Sequence, residues 1–146
     1  MFTCRNLNRP SVFVSLVAAA MMFAAYSTVT FAGQVQVKLS GAQEVPAVTT
    51  SASGSGTITI NDDMTVQGSV TTNGVAGTAA HIHEAAAGKN GPVIIPLTKS
   101  GDNLWSTPAG AKLTQAQYKA FKAGNLYLNV HSAAHKGGEI RGQLKP

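Results

Sequence analysis

All four histidines of the chain fall in two tight pairs, His81-Ile82-His83 and His131-Ser132-Ala133-Ala134-His135, each at the end of a segment with a strand-like pattern. Residues two apart on a β-strand point to the same face, so His81 and His83 present two imidazoles side by side. That is half of a metal site. His131 and His135 complete a set of four if the two strands, roughly fifty residues apart, lie together in the fold. The lone cysteine, Cys4, precedes the apolar stretch near the N-terminus, so an ion held here must rely on imidazole and carboxylate. A nitrogen or nitrogen-plus-oxygen set without sulfur suits Cu(II) or Zn(II), and the Irving–Williams order favours copper. Glu44 is a candidate ligand or an outer partner of one, with a loop anchor as its other reading. Glu139 and Arg141 are expected to pair across strands or to orient an imidazole. Histidines scattered by chance on a solvated sheet face would give the same spacing.

The elements that must position these groups begin after residue 32. Residues 1–32 have the layout of an export signal: Arg5 and Arg9, an apolar stretch from Val12 to Tyr26, and small residues Thr30 and Ala32 ahead of Gly33. The expectation is cleavage there, delivery to a periplasmic or extracellular compartment, and no membrane attachment afterwards. The remaining 33–146 is the size of one domain. It carries nine basic residues against six acidic ones, a net of +3 against +5 for the whole chain. These charges are scattered, with no basic cluster, which argues against nucleic acid as a partner. A protein partner or self-association stays open.

Beyond residue 33 the hydrophobic period is two, punctuated by Gly, Ser, Thr and Asn, which predicts an all-β fold: an antiparallel Greek-key sandwich or barrel of about eight strands. The strands are expected near Gln34–Leu39, Ser55–Asn61, Thr65–Thr72, Thr78–Glu84, Val93–Leu97, Asn103–Thr107, Asn125–His131 and Glu139–Leu144. Asn61-Asp62-Asp63 and Lys136-Gly137-Gly138 mark hairpin turns. One helix is predicted over 114–123, because Thr114 followed by Gln117 makes a capping box and Gly124 supplies the stop. Tyr118 and Phe121 should dock it. In Leu126-Tyr127-Leu128-Asn129-Val130-His131 the aliphatic residues face the core, which sends Tyr127, Asn129 and His131 outward. The same logic sends His81, His83, Glu139, Arg141 and Gln143 outward.

Six segments together resemble a known family. Leu39-Ser40-Gly41-Ala42-Gln43-Glu44-Val45-Pro46-Ala47, Ala80-His81-Ile82-His83, Asn90-Gly91-Pro92-Val93, Leu113-Thr114, Ala123 to His131, and Gly137-Gly138-Glu139-Ile140-Arg141-Gly142-Gln143-Leu144 occur in the order and spacing of the CHRD domain, named from repeats in chordin. The resemblance spans nearly all of 33–146 and implies an exported all-β domain. The family often has proline after the histidine at the place of His135, where this chain has Lys136. A second likeness, by analogy only, is to copper/zinc superoxide dismutases, which carry His-x-His on one strand and a further copper-ligating histidine at the end of an apolar strand. Their zinc loop and disulfide have no counterpart here.

Other chemistries lack their residues. No Gly-x-Ser-x-Gly elbow is present, Gly54-Ser55-Gly56 leads into a strand rather than a helix, and Trp105 reads as core. Three readings remain: an exported copper-binding protein for metal handling or storage, a dismutase-like copper redox enzyme, and an extracellular interaction module with incidental histidines.

Overall fold

The computed structural model describes Met1 and residues 33–146. Apart from Met1, the segment expected to be an export signal lies outside the described residues. Among the described residues nine strands form one antiparallel sheet: β1 (Gln34–Ser40), β2 (Ser53–Ile60), β3 (Val66–Asn73), β4 (Gly77–Glu84), β5 (Val93–Pro96), β6 (Thr98–Lys99), β7 (Leu104–Ser106), β8 (Leu126–Ser132) and β9 (Ile140–Leu144). Their order is β5-β4-β8-β9-β1-β2-β3-β7-β6. The sheet curls nearly into a barrel, because β6 returns against β4 and the Leu97 amide donates to the Ala80 carbonyl at 2.9 Å. The count exceeds the expected eight by one. The segment expected as a single strand over Val93–Leu97 ends at Pro96, and Thr98–Lys99 pairs separately with β7.

Alternation builds the core. Val35, Val37 and Leu39 of β1, Ile82 of β4, and Leu126, Leu128 and Val130 of β8 all point inward and are buried. Each such side chain removed from water contributes about 1.5–3 kcal/mol. The predicted turns are in place: Met64 donates to the Asn61 carbonyl at 2.8 Å between β2 and β3, and Gly138 donates to the His135 carbonyl at 3.1 Å between β8 and β9. Helix α1 (Gln115–Lys122) has the full capping box, with Thr114 and Gln117 exchanging side-chain and backbone hydrogen bonds. Phe121 is buried beneath it, and Tyr118 donates to Asp62 at 2.9 Å.

The link that matters for the outer face is β9. It joins β8 along its whole length and meets β1 at Ser40 opposite Arg141. Gly142 permits that meeting, since a Cβ there would lie 2.5 Å from the Lys38 carbonyl oxygen. Strands β4, β8 and β9 are therefore consecutive neighbours, carrying His81 and His83, then Tyr127, Asn129 and His131, then Arg141 and Gln143.

Candidate metal centre

The β4–β8 register sets Ala79 opposite His131, His81 opposite Asn129 and His83 opposite Tyr127. His131 is thus the diagonal neighbour of His81 on the same face, within reach of long side chains. Irregularities in pairing flank the histidines, between Gly77 and Ala79 toward β8 and between Ile82 and His83 toward β5. Such bulges re-aim side chains. The outcome is convergence: one nitrogen from each of His81, His83 and His131 lies within 4.8 Å of the other two. Ring centroids are 4.8 Å apart for His81 and His131, 5.6 Å for His81 and His83, and 6.2 Å for His83 and His131.

Hydrogen bonding selects which nitrogens face inward. Nδ1 of His83 lies 3.0 Å from the Gly91 carbonyl oxygen, and Nδ1 of His131 lies 2.9 Å from that of Lys136. A carbonyl only accepts, so each of these nitrogens carries the hydrogen and each Nε2 keeps a lone pair. His83 Nε2 is buried beside the Asn129 side chain and makes no well-formed hydrogen bond. Nδ1 of His81 lies 2.9 Å from His131 Nε2. Two imidazole nitrogens bound to one ion at about 2.0–2.1 Å are held at comparable separations, so this contact suits a shared cation. With His131 Nε2 as acceptor, His81 Nδ1 carries the hydrogen of this contact, and its loss to solvent would give a donor set of His81 Nδ1, His83 Nε2 and His131 Nε2.

Electrostatics favour the neutral rings that a metal requires. The His83 pKa is lowered chiefly by burial, and that of His81 by burial and then by the charges His131 and His83 would carry. The sign follows directly. Unfolded imidazoles accept a proton near pH 6.5 and the folded ones only at lower pH, so the unfolded chain binds more protons in between and stability falls on acidification. Metal-free protein should lose this part of its stability between pH 7 and pH 5, and a His81→Ala/His83→Ala variant should not. Denaturant midpoints for the pair at both pH values measure the difference; equal losses would contradict the assignment.

The outward face is covered on the His83 side of the group, while His81 and His131 stay partly exposed. The segment 85–92 crosses it, and the chain around Glu44 closes the side toward β9. Tyr127 stacks on His83, with ring centroids 4.7 Å apart and planes 6° from parallel, and the Arg141 guanidinium carbon sits 3.4 Å from the Tyr127 centroid. Arg141 donates to the carbonyls of Lys89 and Ala86 and to the side chains of Asn90 and Gln143. Gln143 donates to Ala85, and the Gly91 amide reaches the Tyr127 hydroxyl at 3.4 Å. The face read from alternation as a polar exterior is a second, polar layer of packing.

Glu44 belongs to this layer and not to the histidine group. It is 6 % exposed, and its carboxyl meets the Asn129 amide under Gly138. Its Oε1 and Asn129 Oδ1 are buried acceptors without a donor. Burial pushes the Glu44 carboxyl above the usual carboxylate range, against the opposing pull of Arg141. Any stability it contributes is complete below pH 4.5 and is lost as pH rises through the raised value. Glu139 and Arg141 do not form the expected cross-strand pair: they are adjacent-but-one on one chain, and Glu139 Oε1 instead accepts from Thr50 Oγ1 at 2.9 Å. His135 lies outside the three converging rings. It lines a surface depression with Glu44, Pro46, Asn90 and Gly138, because the chain reverses after Ser132 with the Ser132 amide donating to the His135 carbonyl. Sequence reasoning assigned no role to Tyr127 or Asn129, although the spacing that put His131 outward put them on the same face.

A family model described as the CHRD domain matches residues 35–144. No curated protein and no solved structure matches the chain. Among the described residues, no helix is long and apolar enough to cross a membrane.

Proposed function

The chain belongs to the CHRD domain family, and from that premise we propose that it is an exported copper-binding protein that holds the ion through His81, His83 and His131, for metal handling or storage. The observation that carries this reading is the set of three imidazole nitrogens within 4.8 Å of one another, one of them, His83 Nε2, buried without a well-formed hydrogen bond. A buried acceptor left empty costs about 1–3 kcal/mol, and an ion removes that cost. The two carbonyls that fix His83 and His131 act as the outer partners metal-bound histidines require. Copper is preferred to zinc because a sulfur-free nitrogen set follows the Irving–Williams order. Export rests on the signal-like layout of 1–32 and on a domain, 33–146, that has no thiol.

Purified domain should bind one copper ion per chain, with nitrogen-dominated Cu(II) spectra, measured against a competing chelator. Affinity should fall as pH drops below roughly 6, since each ligand must give up its proton. His135→Ala should leave affinity within about threefold, because that ring is not in the converging group. Affinity no better than that of an unstructured histidine peptide would favour the interaction module instead. His81 and His131 are partly exposed, which leaves one side of the ion open as a dismutase-like redox enzyme would need. Catalysed loss of superoxide by the copper-loaded protein separates that enzyme from a carrier.

A further inference from the structure

Three imidazoles bring no negative charge, so an ion bound by His81, His83 and His131 is not neutralised by its ligands. The charge built in behind them is positive. Arg141 is 1 % exposed, and its hydrogen bonds go to the carbonyls of Lys89 and Ala86 and the amide oxygens of Asn90 and Gln143, all neutral acceptors. Buried charges are normally paired with an opposite one, and leaving one unpaired is expensive. Tyr127 on β8 lies between His83 on β4 and Arg141 toward β9, so the guanidinium, phenol and imidazole form one stack, separated in turn by 3.4 Å and 4.7 Å. Glu44 is an acid within the field of Arg141: burial raises its carboxyl pKa and Arg141 opposes that rise, but none of the guanidinium's hydrogen bonds goes to it.

Resting on the copper reading above, we propose that this site is built for Cu(I) in preference to Cu(II) and Zn(II), with Arg141 as a fixed positive charge that penalises the divalent ion. The cuprous ion carries one unit of charge less, and a three-nitrogen set without an anionic ligand can satisfy it. Arg141 is a positioning and electrostatic residue here, not a ligand. At a spacing of about 10 Å and an effective dielectric near 20, one buried unit charge acting on one unit of ion charge shifts the Cu(I)/Cu(II) affinity ratio by about tenfold. For a one-electron couple that is about 59 mV in reduction potential.

The test is the pair of dissociation constants of the purified domain, for Cu(I) under reducing conditions against bicinchoninate and for Cu(II) and Zn(II) against a polyaminocarboxylate chelator. The expected result is tighter binding of Cu(I) and a bound-copper potential above that of the aqueous couple. Arg141→Gln should lower the Cu(I)/Cu(II) ratio by about tenfold, and Arg141→Lys, which keeps the charge, should retain most of it. Thermal melting establishes which variants fold. A wild-type site that holds Cu(II) or Zn(II) as tightly as Cu(I) overturns this inference whether or not the variants fold, as does a folded Arg141→Gln protein with an unchanged ratio. Failure to bind copper in either oxidation state would overturn the copper reading itself, which keeps the two failures distinct.

Discussion

His83→Ala should abolish copper binding, with affinity lowered by more than about 100-fold, while the domain stays folded. The magnitude follows from position: loss of an outer partner to a ligand already costs about 10–100-fold, and His83 is proposed as a ligand itself, with Nδ1 held by the Gly91 carbonyl and Nε2 in the converging group. The fold should survive because little of it depends on that ring. Substitution loses one hydrogen bond, about 1 kcal/mol, and the stack on Tyr127, and it also removes a buried nitrogen without a well-formed hydrogen bond in the metal-free molecule. Chelator competition and a melting curve on the same preparation measure both halves. Wild-type affinity in this variant would place the ion elsewhere and end the assignment of the three rings.

Gly138→Val should destabilise the domain by about 2 kcal/mol or more and weaken copper binding as well. Gly138 has φ +130°, a conformation that glycine adopts and L side chains rarely do, which alone costs about 1–3 kcal/mol. A Cβ at this position would lie 2.3 Å from Glu44 Oε1 and 2.6 Å from Asn129 Nδ2. Both groups are buried beneath the turn, so they cannot move into solvent without breaking the polar layer. The binding effect comes through Lys136, whose carbonyl two residues earlier fixes the His131 tautomer. Gly137→Ala supplies the contrast: its Cβ would meet nothing within 4 Å, so a change within about 0.5 kcal/mol is expected. Denaturant midpoints of the two variants decide it, and equal effects would show that crowding under Gly138 is not the cause.

Local readings of the sequence held where the physics is local. The capping box from Thr114 to Gln117 specified α1 because both hydrogen bonds close within four residues. The turn at Asn61-Asp62-Asp63 formed because the Asp63 side chain binds the amide of Thr65, two residues on. The outward placement of His81, His83, Tyr127, Asn129 and His131 followed from a side-chain period of two with Ile82, Leu126, Leu128 and Val130 inside. Expectations failed where distant segments compete for the same group. Arg141 was expected to pair with Glu139 or to orient an imidazole; the pair does not form, because the loop carbonyls of Lys89 and Ala86 hold the guanidinium over Tyr127, and nothing near Arg141 in sequence announces a loop some fifty residues earlier.

By itself the sequence determined an all-β chain with a capped helix, the face on which His81, His83 and His131 stand, and a domain without a thiol. These are consequences of period, capping and composition, which act over a few residues. Only the tertiary structure decided that β4 lies beside β8, that three rings converge while His135 turns away, and that a lidded polar layer puts Tyr127 and Arg141 behind His83. The reason is physical: strand order and loop closure are chosen by burial and hydrogen bonding summed over the whole chain, so they leave no trace in any one stretch of it.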